Sequence, residues 1–119
     1  MQSILIIAHA APYGNERLLS ALRLATALVA QEHETVQLRL FMMSDAVTVA
    51  LPGHVSAETG GGLESLLEGL VARGVPIHLC RTCANARGMM GRELIQGVGI
   101  ATISDLAEWT LAADKVITF

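Results

Sequence analysis

Cys80 and Cys83 are the two cysteines of the chain, three positions apart in Cys80-Arg81-Thr82-Cys83. Sulfur chemistry needs a thiolate, and a thiol ionises more readily beside cations and unpaired backbone N–H groups. Val75-Pro76-Ile77-His78-Leu79 reads as a strand that ends at Cys80, with a short helix after it. That placement predicts unpaired N–H groups and the positive end of a helix dipole near Cys80. Arg81 and Arg87 add formal positive charge. One reading is a reactive cysteine that accepts and passes on sulfur, or exchanges disulfides. The other is a small side chain that only packs a strand end, a common fate of free cysteine. The spacing suits a redox pair, although no aromatic residue precedes Cys80.

Further candidates surround this pair. His78 shares a strand face with Cys80, because side chains alternate with a period of two. It reads either as a base or as a hydrogen-bonded buried histidine. His78, Cys80 and Cys83 offer three metal ligands, but no second pair at zinc spacing appears, so no metal is expected. His9 ends the first strand and is a candidate for lining a cleft. Asp45, after Ser44 at the end of the second strand, either orients a ligand or caps the helix that follows. Tyr13-Gly14 forms a turn and a pocket wall. No glycine-rich phosphate loop follows the first strand, so no nucleotide cofactor is expected. His33 and His54 are expected to be solvent-exposed. Met42, Met43, Met89 and Met90 read as packing residues, the last two flanking the thiol.

The elements that must hold these groups alternate along the chain. Ser3-Ile4-Leu5-Ile6-Ile7-Ala8 is a short β-branched run, the pattern of a strand buried on both faces of a parallel sheet. Asn15 is the expected N-cap of a helix that runs to about Gln31. Leu18, Leu22, Ala25 and Val29 form one apolar stripe and Ala21, Leu24 and Leu28 another, so one side is expected against the sheet and the other against a second subunit. Residues 35–41 predict a second strand and 46–51 a short helical segment. Residues 54–62 predict a flexible glycine-rich loop. A leucine-rich helix follows and stops at Arg73-Gly74. Gly97-Val98-Gly99-Ile100-Ala101 predicts a fourth strand, and Thr102 with Asp105 a capping box for the helix carrying Leu106, Trp109 and Ala113. Residues 115–119 predict a last strand. Strands alternating with helices imply right-handed crossovers and an α/β fold, three layers around a mostly parallel sheet of about five strands. Residues 1–119 are expected to form a single domain. In such sheets ligands bind beyond the carboxyl ends of the strands. Four stretches qualify, 9–14, 42–45, 80–88 and 101–104, and only the third carries a strong nucleophile.

Composition narrows the function classes. The chain has 119 residues, 52% of them hydrophobic and 16% charged. That excludes disorder. A typical soluble domain is about 25% charged, so the scarcity here predicts broad apolar patches and self-association. A net charge of −3 argues against nucleic acid as a partner. Charged residues interrupt every long apolar stretch, so no membrane span is expected. The N-terminal residues lack the positive charge of a secretory signal, which makes a cytoplasmic address the expectation. In that reducing compartment a permanent structural disulfide is not expected.

Several stretches resemble the YchN-like branch of the DsrE/DsrF-like family. They are Ile7-Ala8-His9-Ala10-Ala11-Pro12-Tyr13-Gly14, the helix from Leu18 to Leu28, Leu40-Phe41-Met42-Met43-Ser44-Asp45-Ala46-Val47, Cys80-Arg81-Thr82-Cys83 with Arg87-Gly88, and Trp109 to Phe119. The resemblance spans nearly the whole chain. It implies a small α/β subunit, homo-oligomers up to hexamers, and a link to intracellular sulfur metabolism. Sulfur-relay members carry a persulfide on one cysteine that precedes an Arg-Gly pair by seven and eight residues. Cys80 with Arg87-Gly88 matches that spacing, so the resemblance places the persulfide on Cys80 and not on Cys83. Relay members typically lack a second cysteine three residues on and work with sister chains, so Cys83 leaves dithiol exchange open.

The expectation is therefore a cytoplasmic homo-oligomer, trimer or hexamer, that handles sulfane sulfur on Cys80. Cys83 would be able to release the cargo, Arg81 or Arg87 would stabilise the anion, and sulfur donor or acceptor proteins would be the partners. The alternatives are a Cys80–Cys83 redox protein and a non-catalytic ligand-binding module.

Overall fold

The computed structural model describes residues 1–31, 35–54 and 62–119. Its elements are β1 (Gln2–Ala8), α1 (Arg17–Val29), β2 (Val36–Met42), a 3₁₀ helix (Ser44–Ala50), α2 (Gly62–Ala72), β3 (Ile77–Cys80), α3 (Arg81–Ala86), β4 (Gly99–Ala101), α4 (Ile103–Ala112) and β5 (Lys115–Thr118). The five strands form one sheet in the order β4-β3-β2-β1-β5, and every ladder is parallel. Ile4 to Ala8 are buried without a break, as a strand covered on both faces requires.

The connections explain the layers. Steps from β1 through β4 run one way across the sheet, and right-handed crossovers keep α1, α2 and α3 on one face. The return from β4 to β5 runs the other way and carries α4 over the opposite face. Alternation along β2 shows both environments. Leu38, Leu40 and Met42 are buried on the side where α1 packs. Arg39 and Phe41 face α4, where the Trp109 ring meets Phe41 edge-on at 6.1 Å and the Arg39 guanidinium lies 5.4 Å from the indole centroid.

Two local expectations are corrected. The second apolar side of α1 packs on α2 of the same chain, whose Leu63, Leu67 and Leu70 are buried. A helix between a sheet and another helix needs no second subunit to explain apolar residues around most of its girth. Asn15 is not the N-cap of α1. Glu16 holds that position without a side-chain bond, and Asn15 Oδ1 accepts from the Arg17 N–H at 2.9 Å. By contrast α4 opens on the predicted capping box, with Asp105 N–H donating to Thr102 Oγ1 and Thr102 N–H donating to Asp105 Oδ2 at 2.8 Å. The glycine-rich loop expected over 54–62 falls mostly outside the described residues, as does His33. Among the described residues no helix is long and apolar enough to cross a membrane.

Candidate functional site

Adjacent parallel strands whose following helices lie on opposite faces leave a crevice between their carboxyl ends. In this sheet β3 leads into α3, which packs on the 3₁₀ helix, while β4 leads into α4 on the other face. Cys80 ends β3 opposite Ala101 at the end of β4. The sheet order thus puts Cys80 at the switch of direction.

Both cysteines are free thiols, Cys80 buried and Cys83 half-buried. Cys80 is the N-cap of α3, so Cys83 lies one turn on and returns toward it. Burial pushes the Cys83 thiol above its ordinary value, and the hydrogen bond and charge of the Cys80 sulfur push the same way. A backbone N–H from Ser44 and the Arg87 guanidinium oppose them. Two thiols in contact share their titration, and the first charge formed holds the second proton in place. Ser44 reaches Cys83 from a left-handed backbone, φ +50°, a conformation that costs a residue with a Cβ on the order of 1 kcal/mol or more.

The Arg87-Gly88 pair has a structural explanation as well as a chemical one. α3 ends in a Schellman turn, with Met89 N–H donating to the Ala84 carbonyl at 3.0 Å and Gly88 N–H to the Asn85 carbonyl at 3.2 Å. Gly88 stands at φ +69°, the left-handed position that this turn assigns to glycine. The turn folds Arg87 back over its helix. Its Nη1 donates to the Cys83 carbonyl at 3.1 Å, its Nε donates to Asp45 Oδ1 at 3.0 Å, and Nη2 completes the ion pair at 2.9 Å. Asp45 therefore ties the 3₁₀ helix to α3 through Arg87.

The structure separates the other candidates. Arg87 bears on Cys83, whereas exposed Arg81 bears on Asp105. α3 has six residues, so its dipole is a small one. His9 is exposed beyond β1. His78 lies on the α4 side, stacked on Trp109 with centroids 4.5 Å apart. Met89 is buried and Met90 exposed. Tyr13 meets His54, which the sequence reading had placed in solvent. That expectation is corrected: His54 is half-buried, with Nε2 2.7 Å from the Thr48 carbonyl and Nδ1 3.1 Å from the Tyr13 hydroxyl. A carbonyl only accepts, so Nε2 carries the hydrogen and Nδ1 accepts from Tyr13. Neither His54 nor Ser44 stood out in the sequence. A partner 41 positions away leaves no periodic signal, and serine is not a residue that announces a positive φ. Among the described residues no three metal-ligating side chains gather.

The same chain architecture recurs in known proteins. Protein YchN of Escherichia coli strain K12 is 52% identical over 119 residues, all of both chains. An uncharacterised protein of Methanopyrus kandleri is 38% identical over 117 residues, 98% of this chain and 93% of that one. The crystal structure of the E. coli YchN protein superposes with a TM-score of 0.92 at 51% identity, covering all of both chains. A Methanobacterium thermoautotrophicum protein of unknown function shares the fold with a TM-score of 0.74 at 20% identity, covering 99% of this chain and 98% of that one. The DsrE/DsrF-like family model matches residues 2–119. With that match along the whole sheet and its thiol corner, the chain belongs to the DsrE/DsrF-like family, which is associated with sulfur metabolism.

Proposed function

We propose that this protein carries sulfane sulfur as a persulfide on Cys80. The observation that supports the reading is the pairing of the Cys80 and Cys83 sulfurs at the end of β3, where burial and the Cys80 sulfur push the Cys83 thiol up. The reading gives Cys80, at the strand end, the nucleophile's role. Its thiolate attacks the outer sulfur of a donor persulfide. A new S–S bond forms as the donor's breaks, and the donor leaves as a thiolate. An acceptor thiolate then takes the outer sulfur in the same way and Cys80 leaves, with no net oxidation. Where hydrosulfide is the product, Cys83 attacks Cys80 Sγ, the outer sulfur departs as hydrosulfide and a Cys80–Cys83 disulfide closes. A dithiol reductant resets the pair and is itself oxidised.

Arg87 is the anion-stabilising residue in this scheme and Asp45 positions it. His9 and Arg81 are exposed and Tyr13 pairs with His54, so the scheme gives them no step. Mass spectrometry after incubation with a small persulfide donor tests the reading. A gain of one sulfur atom on the Cys80 peptide is expected, and its absence in the reduced protein sinks the proposal. The same sulfur contact favours a second reading, a dithiol redox couple. The reduction potential of the pair separates them, since a pair that stays reduced throughout the cytosolic range cannot cycle by itself.

The proposal includes a reducing cytoplasmic setting and self-association into a trimer or hexamer. Ile103 and Leu111 on α4 are 60% and 88% exposed, and Val116 of edge strand β5 is also exposed. Such apolar surface on a charge-poor chain supports a subunit interface. Sedimentation at micromolar concentration should show an oligomer; a stable monomer rules it out.

A further inference from the structure

His78 takes no part in the sulfur chemistry, yet its half-buried ring has close neighbours and one sealed-off nitrogen. On one side it stacks on Trp109, with 24° between the planes. On the other, Gly99 of β4 approaches so closely that a Cβ there would lie 3.0 Å from His78 Cδ2. The missing side chain at 99 is what lets the ring lie flat. Nδ1 is buried and has no hydrogen-bond partner.

A neutral imidazole endures this with one unmet polar atom. An imidazolium adds a charge and a buried N–H that faces no acceptor, which is the costlier state. Every element packed around the ring enters the balance. From α4, Asp105 favours the charged ring. From α3, Arg81 competes for that carboxylate. From β2, the Arg39 guanidinium occupies the same indole that a charged His78 would use. β4 brings no ionisable side chain over 99–101, and on β3 itself Cys80 stands two residues along. Burial outweighs Asp105 and holds His78 below the ordinary histidine value of 6.5.

We infer that the His78–Trp109 stack is an acid-sensitive latch that fixes α4 to the sheet: neutral His78 closes it and protonated His78 releases it. The helix it controls begins at Thr102, next to the Ala101 that pairs with Cys80. Release of α4 in mild acid therefore opens the β3–β4 crevice from the face opposite α3. This inference is independent of the persulfide reading and holds whichever chemistry the thiols perform.

Trp109 is the single tryptophan of the chain and serves as the reporter, because indole emission changes when a ring stacked on it leaves and water reaches the exposed face. Titrating the full chain from pH 7.5 to 5 should shift the emission to longer wavelength in a one-proton step with a midpoint below about 6.5. Amide hydrogen exchange in α4, corrected for its intrinsic pH dependence, should rise over the same step. His78→Phe keeps a stacked ring without a titrating group, and His78→Gln keeps polarity without one. Both should give flat curves, which also separates His78 from the other three histidines. The inference is overturned by a wild-type titration that survives in both variants, by the absence of any step, or by a fluorescence step with unchanged exchange in α4.

Discussion

The two faces of the sheet are built to different standards. Toward α1 and α2, the strands present Leu38, Leu40 and Met42 to Leu18, Leu22 and Leu67, all buried. Two helices seal this side, and among the described residues no charged side chain is buried in it. Toward α4, a single ten-residue helix covers a face that holds Arg39, Phe41 and His78, and one buried nitrogen there is unpaired. Leu106 is the one residue of α4 that is fully buried. The first face carries stability through continuous apolar burial. The second also buries Leu5, Ile7, Phe41 and Leu106, but beside them stand an aromatic stack and a cap whose strength depends on charge. The thiol corner sits where the helices of the two faces part.

Mutation should expose this asymmetry, beginning with its largest effect. Leu40→Ala removes a fully buried side chain on the sealed face and should cost about 2–5 kcal/mol in urea denaturation. Trp109→Ala on the α4 face should cost less, roughly 2 kcal/mol, because the indole is only half-buried. Equal losses would break the comparison. Thr102→Ala deletes the cap of α4, at about 1 kcal/mol. It also removes the Thr102 hydroxyl, the lesser of the two Thr102 hydrogen bonds that hold the Asp105 carboxyl below its ordinary value of 3.8; the backbone N–H of residue 102 stays and still donates. The stability contributed by Asp105 is complete above that ordinary value and disappears as pH falls through the lowered one. In the variant this acid-side loss should shrink, and Asp105 should titrate closer to its ordinary value without reaching it, as an NMR pH series would record.

Smaller effects sharpen the picture at the rim. Arg87→Ala loses a partly exposed ion pair, worth about 0.5 kcal/mol. It should nonetheless push the Cys83 thiol further up and slow its alkylation at pH 8, measured on the Cys83 peptide. Unchanged alkylation would mean that the guanidinium serves only to hold α3 to the 3₁₀ helix. Leu111→Ser should alter the stability of the isolated chain by less than about 0.5 kcal/mol, since the side chain is almost fully exposed. A fall in sedimentation coefficient in the same variant would place a subunit interface on the α4 face.

Local rules foretold most elements and only part of the site. The aliphatic run of β1, the leucine spacing of α2 and the Thr102–Asp105 box each act within a few residues, so the pattern and the structure agree. Asn15 misled because a side chain that suits an N-cap also closes an Asx turn one residue earlier. The apolar girth of α1 read as a subunit contact because periodicity reports that a face is covered, never by what. In the site, Cys80 and Cys83 were visible from their spacing, and Gly88 from its place after Arg87. The hydrogen bonds from Ser44 to Cys83 and from His54 to Thr48 were not, since each depends on where the 3₁₀ helix comes to rest.

By itself, then, the amino-acid order determined the alternation of strands and helices, the parallel sheet and the position of two sulfurs at a strand end. Those follow from side-chain period, turn residues and backbone sterics, which are properties of neighbours in the chain. The sheet order, the choice of Arg87 over Arg81 at Cys83, and the enclosure of His78 between Gly99 and Trp109 were decided only by the tertiary structure. Each joins groups from separate elements, and such contacts are selected by the packing of the whole chain and leave no repeat in the sequence to read.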